Sequence, residues 1–360
     1  MSRISDRFTE IAVYIYTSLD DAKRGESYGG SGFMVDVPFE TNTELHYLYV
    51  VTNKHVVLKA KNPVIRFNRK DGGTECIATR SDQWTHHPNG DDVSVFHFDN
   101  DDWEKFQIAT IGMHQFVTEH LLEAEDIGIG DDTVMVGRFI THEGKQQNAP
   151  SVRFGNIAMM PKEKIVSESG IAQESFLVEI RSLPGYSGSA VLIYSPCAMN
   201  DMSKRRYGQA RVGLTSMGDH KFHMPPDAYF DAMKPKGPYL LGIDWCHLQS
   251  KADVVISEDE NGRDEKHPDR WFVRQNSGMA GVIPAWKIAE VLYCEDFVKT
   301  RKKEAERIAE EVEREKRRSS GGVSLDVAEQ SDVLTREGFE TALRKASRKI
   351  EPSESDSEKK

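Results

Sequence analysis

Ser187 stands in Pro184-Gly185-Tyr186-Ser187-Gly188-Ser189-Ala190-Val191, a small hydroxyl flanked by glycines ahead of an apolar run. Glycine lets the backbone turn sharply and bring its own N–H groups close to a bound group. A hydroxyl held there, with backbone donors aimed at the same point, is what acyl transfer by a serine nucleophile requires. Gly-x-Ser-Gly loops are common, so the motif decides nothing until a base and an orienting carboxylate are found.

Both occur upstream. Val50-Val51-Thr52-Asn53-Lys54-His55-Val56-Val57 puts a histidine at the end of a β-branched run. Asp91-Asp92-Val93-Ser94-Val95-Phe96 opens a short alternating strand with a carboxylate, and Asp92 is preferred over Asp91 because the Val-Ser-Val pattern follows it directly. Histidine would take the serine proton as general base and return it to the leaving amine. Aspartate would fix the tautomer and stabilise the imidazolium. The chain order is His, Asp, Ser. An α/β-hydrolase runs Ser, acid, His and a subtilisin-like enzyme Asp, His, Ser, so neither arrangement applies.

These pieces together resemble the trypsin-like (chymotrypsin-fold) serine proteases, and within them the bacterial HtrA/Deg-type protease domain. Gly30-Ser31-Gly32-Phe33-Met34-Val35 is similar to the glycine turn and strand ahead of the histidine, and Thr52-Asn53-Lys54-His55 to the histidine motif. Asp92-Val93-Ser94-Val95 resembles the aspartate motif, and Gly185-Tyr186-Ser187-Gly188-Ser189-Ala190 the serine motif. Leu240-Leu241-Gly242-Ile243 and Gly281-Val282-Ile283-Pro284 resemble the strands lining the substrate pocket, so the likeness covers residues 8 to 293. No PDZ-like module is expected after the protease unit.

The resemblance implies a catalytic triad of His55, Asp92 and Ser187, and an oxyanion hole from the N–H groups of Gly185 and Ser187. It implies a primary pocket walled by Ser182, Leu183, Trp245, His247, Ala280 and Gly281, with small residues at 280 and 281 leaving room for a side chain. Arg181 either points into that pocket and favours acidic substrate residues, or lies exposed or ion-paired on its strand. Two positions depart from the family. Tyr186 stands where Asp or Asn is usual, which removes the carboxylate that zymogens pair with a freed N-terminus, and Ser189 stands where glycine is usual.

Stepping outward, the elements that must position these groups are short strands with glycine punctuation. They are expected at residues 11–16, 33–37, 45–52, 64–68 and 75–80, and again at 132–139, 151–160, 175–180, 190–194, 239–243 and 280–283. Residues 20–24 read as a polar loop. The pattern predicts an all-β fold: two six-stranded antiparallel β-barrels at about residues 8–125 and 126–293, with Ile288–Leu292 as a closing helix. Two insertions, 195–238 and 249–276, either flank a cleft and restrict access or extend into solvent. Residues 294–360 read as a charged, helical and partly disordered tail. One helix is expected over 297–318 with an Ala305, Ile308, Ala309, Val312 stripe, and a second, from Thr335, with Phe339, Ala342, Leu343, Ala346 and Ile350 on one face.

Composition narrows the function. A net charge of −11 argues against nucleic acid as the main partner, since phosphate binding needs a basic stripe. No apolar run suits a membrane span and the N-terminus lacks a signal h-region, so a cytoplasmic protein without membrane association is expected. The four widely spread cysteines read as free thiols. His86-His87, His220 with His223, and Cys246-His247 lack zinc-site spacing, so no metal and no cofactor is expected. The sequence therefore points to an endopeptidase acting on protein or peptide substrates, restrained by a regulatory protein partner, the insertions or the tail. The alternative is a catalytically silent protease-fold scaffold that binds proteins.

Overall fold

The computed structural model describes residues 4–26, 29–39, 45–99, 102–138, 144–167, 170–180, 185–195, 236–258, 264–266, 271–320 and 348–349. The chain divides into two compact units. A sheet unit comprises Glu10–His114, His142–Ala149 and Lys287–Lys360, and a barrel unit comprises Met1–Thr9, Gln115–Thr141 and Pro150–Trp286. The first division thus falls at residue 114 rather than 125, and the C-terminal helix groups with the sheet unit.

The sheet unit is built on β1 (Ala12–Tyr16), β2 (Gly30–Pro38), β3 (Leu45–Thr52), β4 (Val64–Asn68), β5 (Thr74–Ala78), β6 (Trp84–His86) and β7 (Ser94–His97), paired in the order β5-β4-β1-β2-β3-β7-β6. Two short strands lie off this path: β8 (Ile111–Gly112) runs parallel to β2, and β19 (Arg348–Lys349) pairs with β3. The sheet curls without closing, since β5 and β6 do not pair. The expected N-terminal six-stranded barrel is therefore an open sheet.

β1 is buried along its length because both its faces are covered. Val13 and Ile15 join Met34, Leu48, Val50, Ile65 and Phe67 in one core. Tyr14 and Tyr16 meet Ala22 and Val64 on the other side. Ala22 belongs to the helix α2 (Leu19–Arg24), which follows the short α1 (Arg7–Glu10) and replaces the loop expected at 20–24. Ser18 caps it, accepting from the Asp21 N–H at 3.1 Å, and Gly25 ends it in the left-handed region at φ 65°. Acidic residues in its first turn and basic ones in its last complement the helix dipole.

The barrel unit holds β9 (Asp132–Gly137), β10 (Ser151–Met159), β11 (Lys164–Val166), β12 (Ala172–Glu174), β13 (Phe176–Glu179), β14 (Ala190–Ser195), β15 (Lys236–Asp253), β16 (Val255–Glu258), β17 (Asp264–Lys266) and β18 (Phe272–Pro284). Six of them close into an antiparallel barrel in the order β10-β13-β18-β15-β14-β9. Closure removes exposed edges, and the interior is filled by Met135, Ile157, Phe176, Val178, Val191, Leu241 and Val282. A largely β protein with one closed six-stranded barrel and one curled sheet is the chymotrypsin-like architecture implied by the sequence.

The described residues of the insertion at 249–276 are paired strands rather than a loop. β15 and β18 continue pairing outward from Gln249↔Asn276 to Asp253↔Phe272, and β16 and β17 prolong the ribbon. Ladder hydrogen bonds need no apolar pattern, so the sequence showed only its polarity. Of the insertion at 195–238, residues 196–235 lie outside the described residues, and its ends, Ser195 and Lys236, are paired neighbours.

The helices α3 (Lys54–Leu58) and α4 (Glu119–Ala124) are short, and α5 (Ala285–Leu292) is the expected closing helix. The tail opens with α6 (Glu295–Ser320), covering the predicted helix and including the Glu310–Arg314 pair. Its buried positions are Phe297, Arg301 and Ile308, whereas Ala309 is exposed. The second tail helix lies outside the described residues except Arg348 and Lys349, which are paired as strand β19. No described helix is long and apolar enough to cross a membrane.

Candidate active site

β3 ends at Thr52, whose hydroxyl donates to the Ser31 carbonyl at 2.7 Å, and α3 starts two residues later with His55 in its first turn. Asn53 occupies the N-cap position but makes no side-chain cap bond. Its amide instead donates to the Asp92 carbonyl at 2.9 Å. The cap is supplied from a distance. Asp92 Oδ1 accepts the His55 N–H at 2.8 Å, one of the first-turn donors a helix leaves unpaired. The other oxygen, Oδ2, lies 2.5 Å from His55 Nδ1. Asp92 is buried at 6% exposure, while the His55 side chain is 32% exposed. With Nδ1–H donated to the buried carboxylate, the lone pair sits on Nε2, the arrangement a general base needs.

Ser187 lies in the barrel unit, just before β14. Gly185 and Gly188 take φ of 98° and 91°, a left-handed backbone that an L side chain rarely adopts, so both glycines are structurally required. Asp244 of β15 brackets the turn: its carbonyl accepts from Gly188 N–H at 2.9 Å and its N–H donates to the Ser189 carbonyl at 3.0 Å. Tyr186, the unusual residue before the serine, is fully buried in the barrel core. Its hydroxyl is hydrogen-bonded to Ser151 Oγ, and the Arg153 guanidinium stands 4.8 Å from its ring centroid. An aromatic anchor thus holds this end of the turn. Within the barrel unit, the hydroxyl and amide of Ser187 are uncommitted among the described residues.

The residues expected to wall a primary pocket fare differently. Arg181, Ser182 and Leu183 lie outside the described residues. Ala280 is wholly buried in the barrel core. Gly281 leaves no room for a substrate side chain, since a Cβ there would stand 2.7 Å from Trp245 Nε1 and 2.9 Å from Cys246 Sγ. Trp245 is itself buried at 5% exposure and donates to Ser175 Oγ at 2.9 Å. The small residue makes space for the protein's own indole. His247 is partly exposed, with Nε2 3.1 Å from the Gln249 amide nitrogen.

Two residues that sequence reading left without a role belong to this machinery. Asn53 holds the Asp92 backbone, and its position in the Thr-Asn-Lys-His stretch was the available signal. Tyr186 anchors the serine turn, signalled only by its departure from the expected residue type. No group of side chains suited to a metal occurs among the described residues. His86 Nδ1 lies 2.6 Å from Ser94 Oγ, and burial, with Lys54 adding to it, lowers its pKa from the ordinary imidazole value. His220 and His223 lie outside the described residues. Cys76, Cys246 and Cys294 are free thiols.

No family model and no curated protein matches the sequence. Among solved structures, the MamO protease domain from Magnetospirillum magneticum in its apo form is 14% identical, with TM-score 0.41 over 79% of this chain and 96% of that one. Deg5 is 14% identical, with TM-score 0.37 over 67% and 81%. Rv3671c from M. tuberculosis, in an inactive serine-to-alanine form, is 13% identical, with TM-score 0.37 over 79% and 86%. Likeness this distant leaves function to be argued from the residues themselves.

Proposed function

We propose that this protein is a serine endopeptidase hydrolysing peptide bonds of protein substrates through an acyl-enzyme. Ser187 Oγ attacks the scissile carbonyl, and His55 Nε2 takes its proton and then delivers it to the leaving amine. Asp92 holds the Nδ1 tautomer and stabilises the imidazolium. The N–H groups of Gly185 and Ser187 stabilise the oxyanion, a contribution that typically reaches about 10²–10³ in turnover per donor. Water then attacks the acyl carbonyl, with His55 again as base, and regenerates the free serine.

The observation that carries this reading is the use of both Asp92 oxygens on His55, one on its backbone and one on its ring. A binding scaffold gains nothing from an imidazole held with Nδ1 occupied and Nε2 free. A fluorophosphonate probe tests the proposal. Labelling of the wild type that vanishes in both Ser187→Ala and His55→Ala is the expected outcome. An unlabelled wild type, with or without an added protein partner, would assign the chain to the scaffold class.

A further inference from the structure

His87 takes no part in the site described above, yet its side chain is fully buried (0% exposed) in the loop between β6 and β7 that carries Asp92. The loop is closed by its backbone. His87 N–H donates to Val93 O at 3.0 Å, Gly90 N–H to His87 O at 3.1 Å, and Val93 N–H to Asp91 O at 2.8 Å. The ring extends this closure to Glu290 of α5, a residue of the same unit. Nε2–H donates to Glu290 Oε2 at 2.9 Å, while Nδ1 accepts from Asn89 N–H at 3.3 Å. The charged groups facing this imidazole are Asp91, with Oδ2 at 3.3 Å from Nδ1, and Glu290. Lys287 Nζ lies 3.6 Å from Asp91 Oδ2 and 3.2 Å from Glu290 Oε1, balancing both carboxylates.

Burying an imidazole is costly unless its polar atoms are paired. Here the pairing ties the loop that carries Asp92 to α5 twice, from His87 to Glu290 and from Asp91 to Lys287. We propose that His87 is a positioning residue: clamped between Glu290 and the Asn89 N–H, it fixes the Asp92 carboxylate against His55 and so sets the reactivity of Ser187. The inference rests on the reading of Ser187, His55 and Asp92 as the catalytic set.

The test uses the full chain and the variants His87→Ala, Glu290→Ala and Glu290→Gln. Glu290 is 39% exposed, so its substitution leaves the fold standing even if loss of His87 does not. The first readout, independent of proteolysis, is the low-field proton NMR resonance of His55 Nδ1–H, assigned by its loss in Asp92→Asn. The second is the rate of fluorophosphonate labelling. Both alanine variants should broaden or shift the resonance and slow labelling on the order of 10- to 100-fold, the cost of a small misplacement in an active site. Glu290→Gln, which retains an acceptor for Nε2–H, should restore both. Variants with lowered melting temperatures but an unchanged resonance and labelling rate would reduce His87 to a structural role and overturn the proposal. A wild type that shows the resonance but no labelling would overturn the proposed function, and the resonance in the variants would still decide the role of His87.

Discussion

Asp92 serves two functions with one carboxylate, capping the first turn of α3 through the His55 N–H and orienting the ring through Nδ1. The two bonds make local structure and chemistry interdependent. An amide at this position could still accept from the His55 N–H through its oxygen, but its NH₂ would face Nδ1 and favour the wrong tautomer. Asp92→Asn should therefore keep the fold, by circular dichroism, and lower peptide hydrolysis by about 10⁴. A fall of less than tenfold would show that the ring is oriented by something else. The pairing of His55 with Asp92, and Ser187 as the proposed nucleophile, were legible in the sequence because proton transfer and acyl transfer restrict which residue types can act. Asn53 and Tyr186 were not, because an amide and a phenol carry no such signature, and only their partners reveal their roles.

At the scale of elements, α6 is held by a buried arginine rather than by a conventional apolar stripe. Arg301 Nη1 donates to the Tyr49 hydroxyl at 3.0 Å and to the Leu292 carbonyl at 2.8 Å, while the Tyr47 hydroxyl donates to the Arg301 carbonyl at 2.9 Å. Phe297 packs edge-on against Tyr49 at 5.1 Å between centroids. Burial raises the Tyr49 pKa above its ordinary 10.0, with Arg301 opposing the shift. The unfolded chain therefore ionises this phenol first as pH rises. The stabilising contribution is complete below pH 10.0 and is lost as pH climbs through the raised folded value. Tyr49→Phe should flatten the alkaline loss of stability in pH-dependent urea melts, while costing about 1.5–3 kcal/mol at neutral pH through the lost bond to a charged donor. An unchanged alkaline limb would place the titrating group elsewhere. Sequence reading located this helix and Ile308 on its buried face but not Arg301, since hydropathy scores an arginine as solvent-facing.

For the whole molecule, the tail is two things. Residues 295–308 belong to the core of the sheet unit through Phe297, Arg301 and Ile308, all buried. Deleting 295–360 should therefore lower the melting temperature sharply, since truncating one buried phenylalanine alone costs about 3–5 kcal/mol. Deleting 321–360 leaves that packing in place and removes only the β19 pairing among the described contacts. We expect its melting temperature to stay within a few degrees of wild type, and a large drop would show that the tail beyond 320 is structural. Whether the tail restrains the proposed activity is then read from the labelling rate of the 321–360 deletion. An increase supports restraint by the tail, and no change assigns restraint to a partner or to the insertions.

The sequence by itself determined the chemistry on offer and the class of fold, because residue type limits proton transfer and strand periodicity survives in a single chain. Tertiary structure alone decided which neighbours share each space. It filled the room beside Gly281 with Trp245, drew the segment after residue 249 into a ribbon, left the first sheet open and buried His87 against Glu290. Each of these depends on contacts between residues distant along the chain, and no local pattern records them.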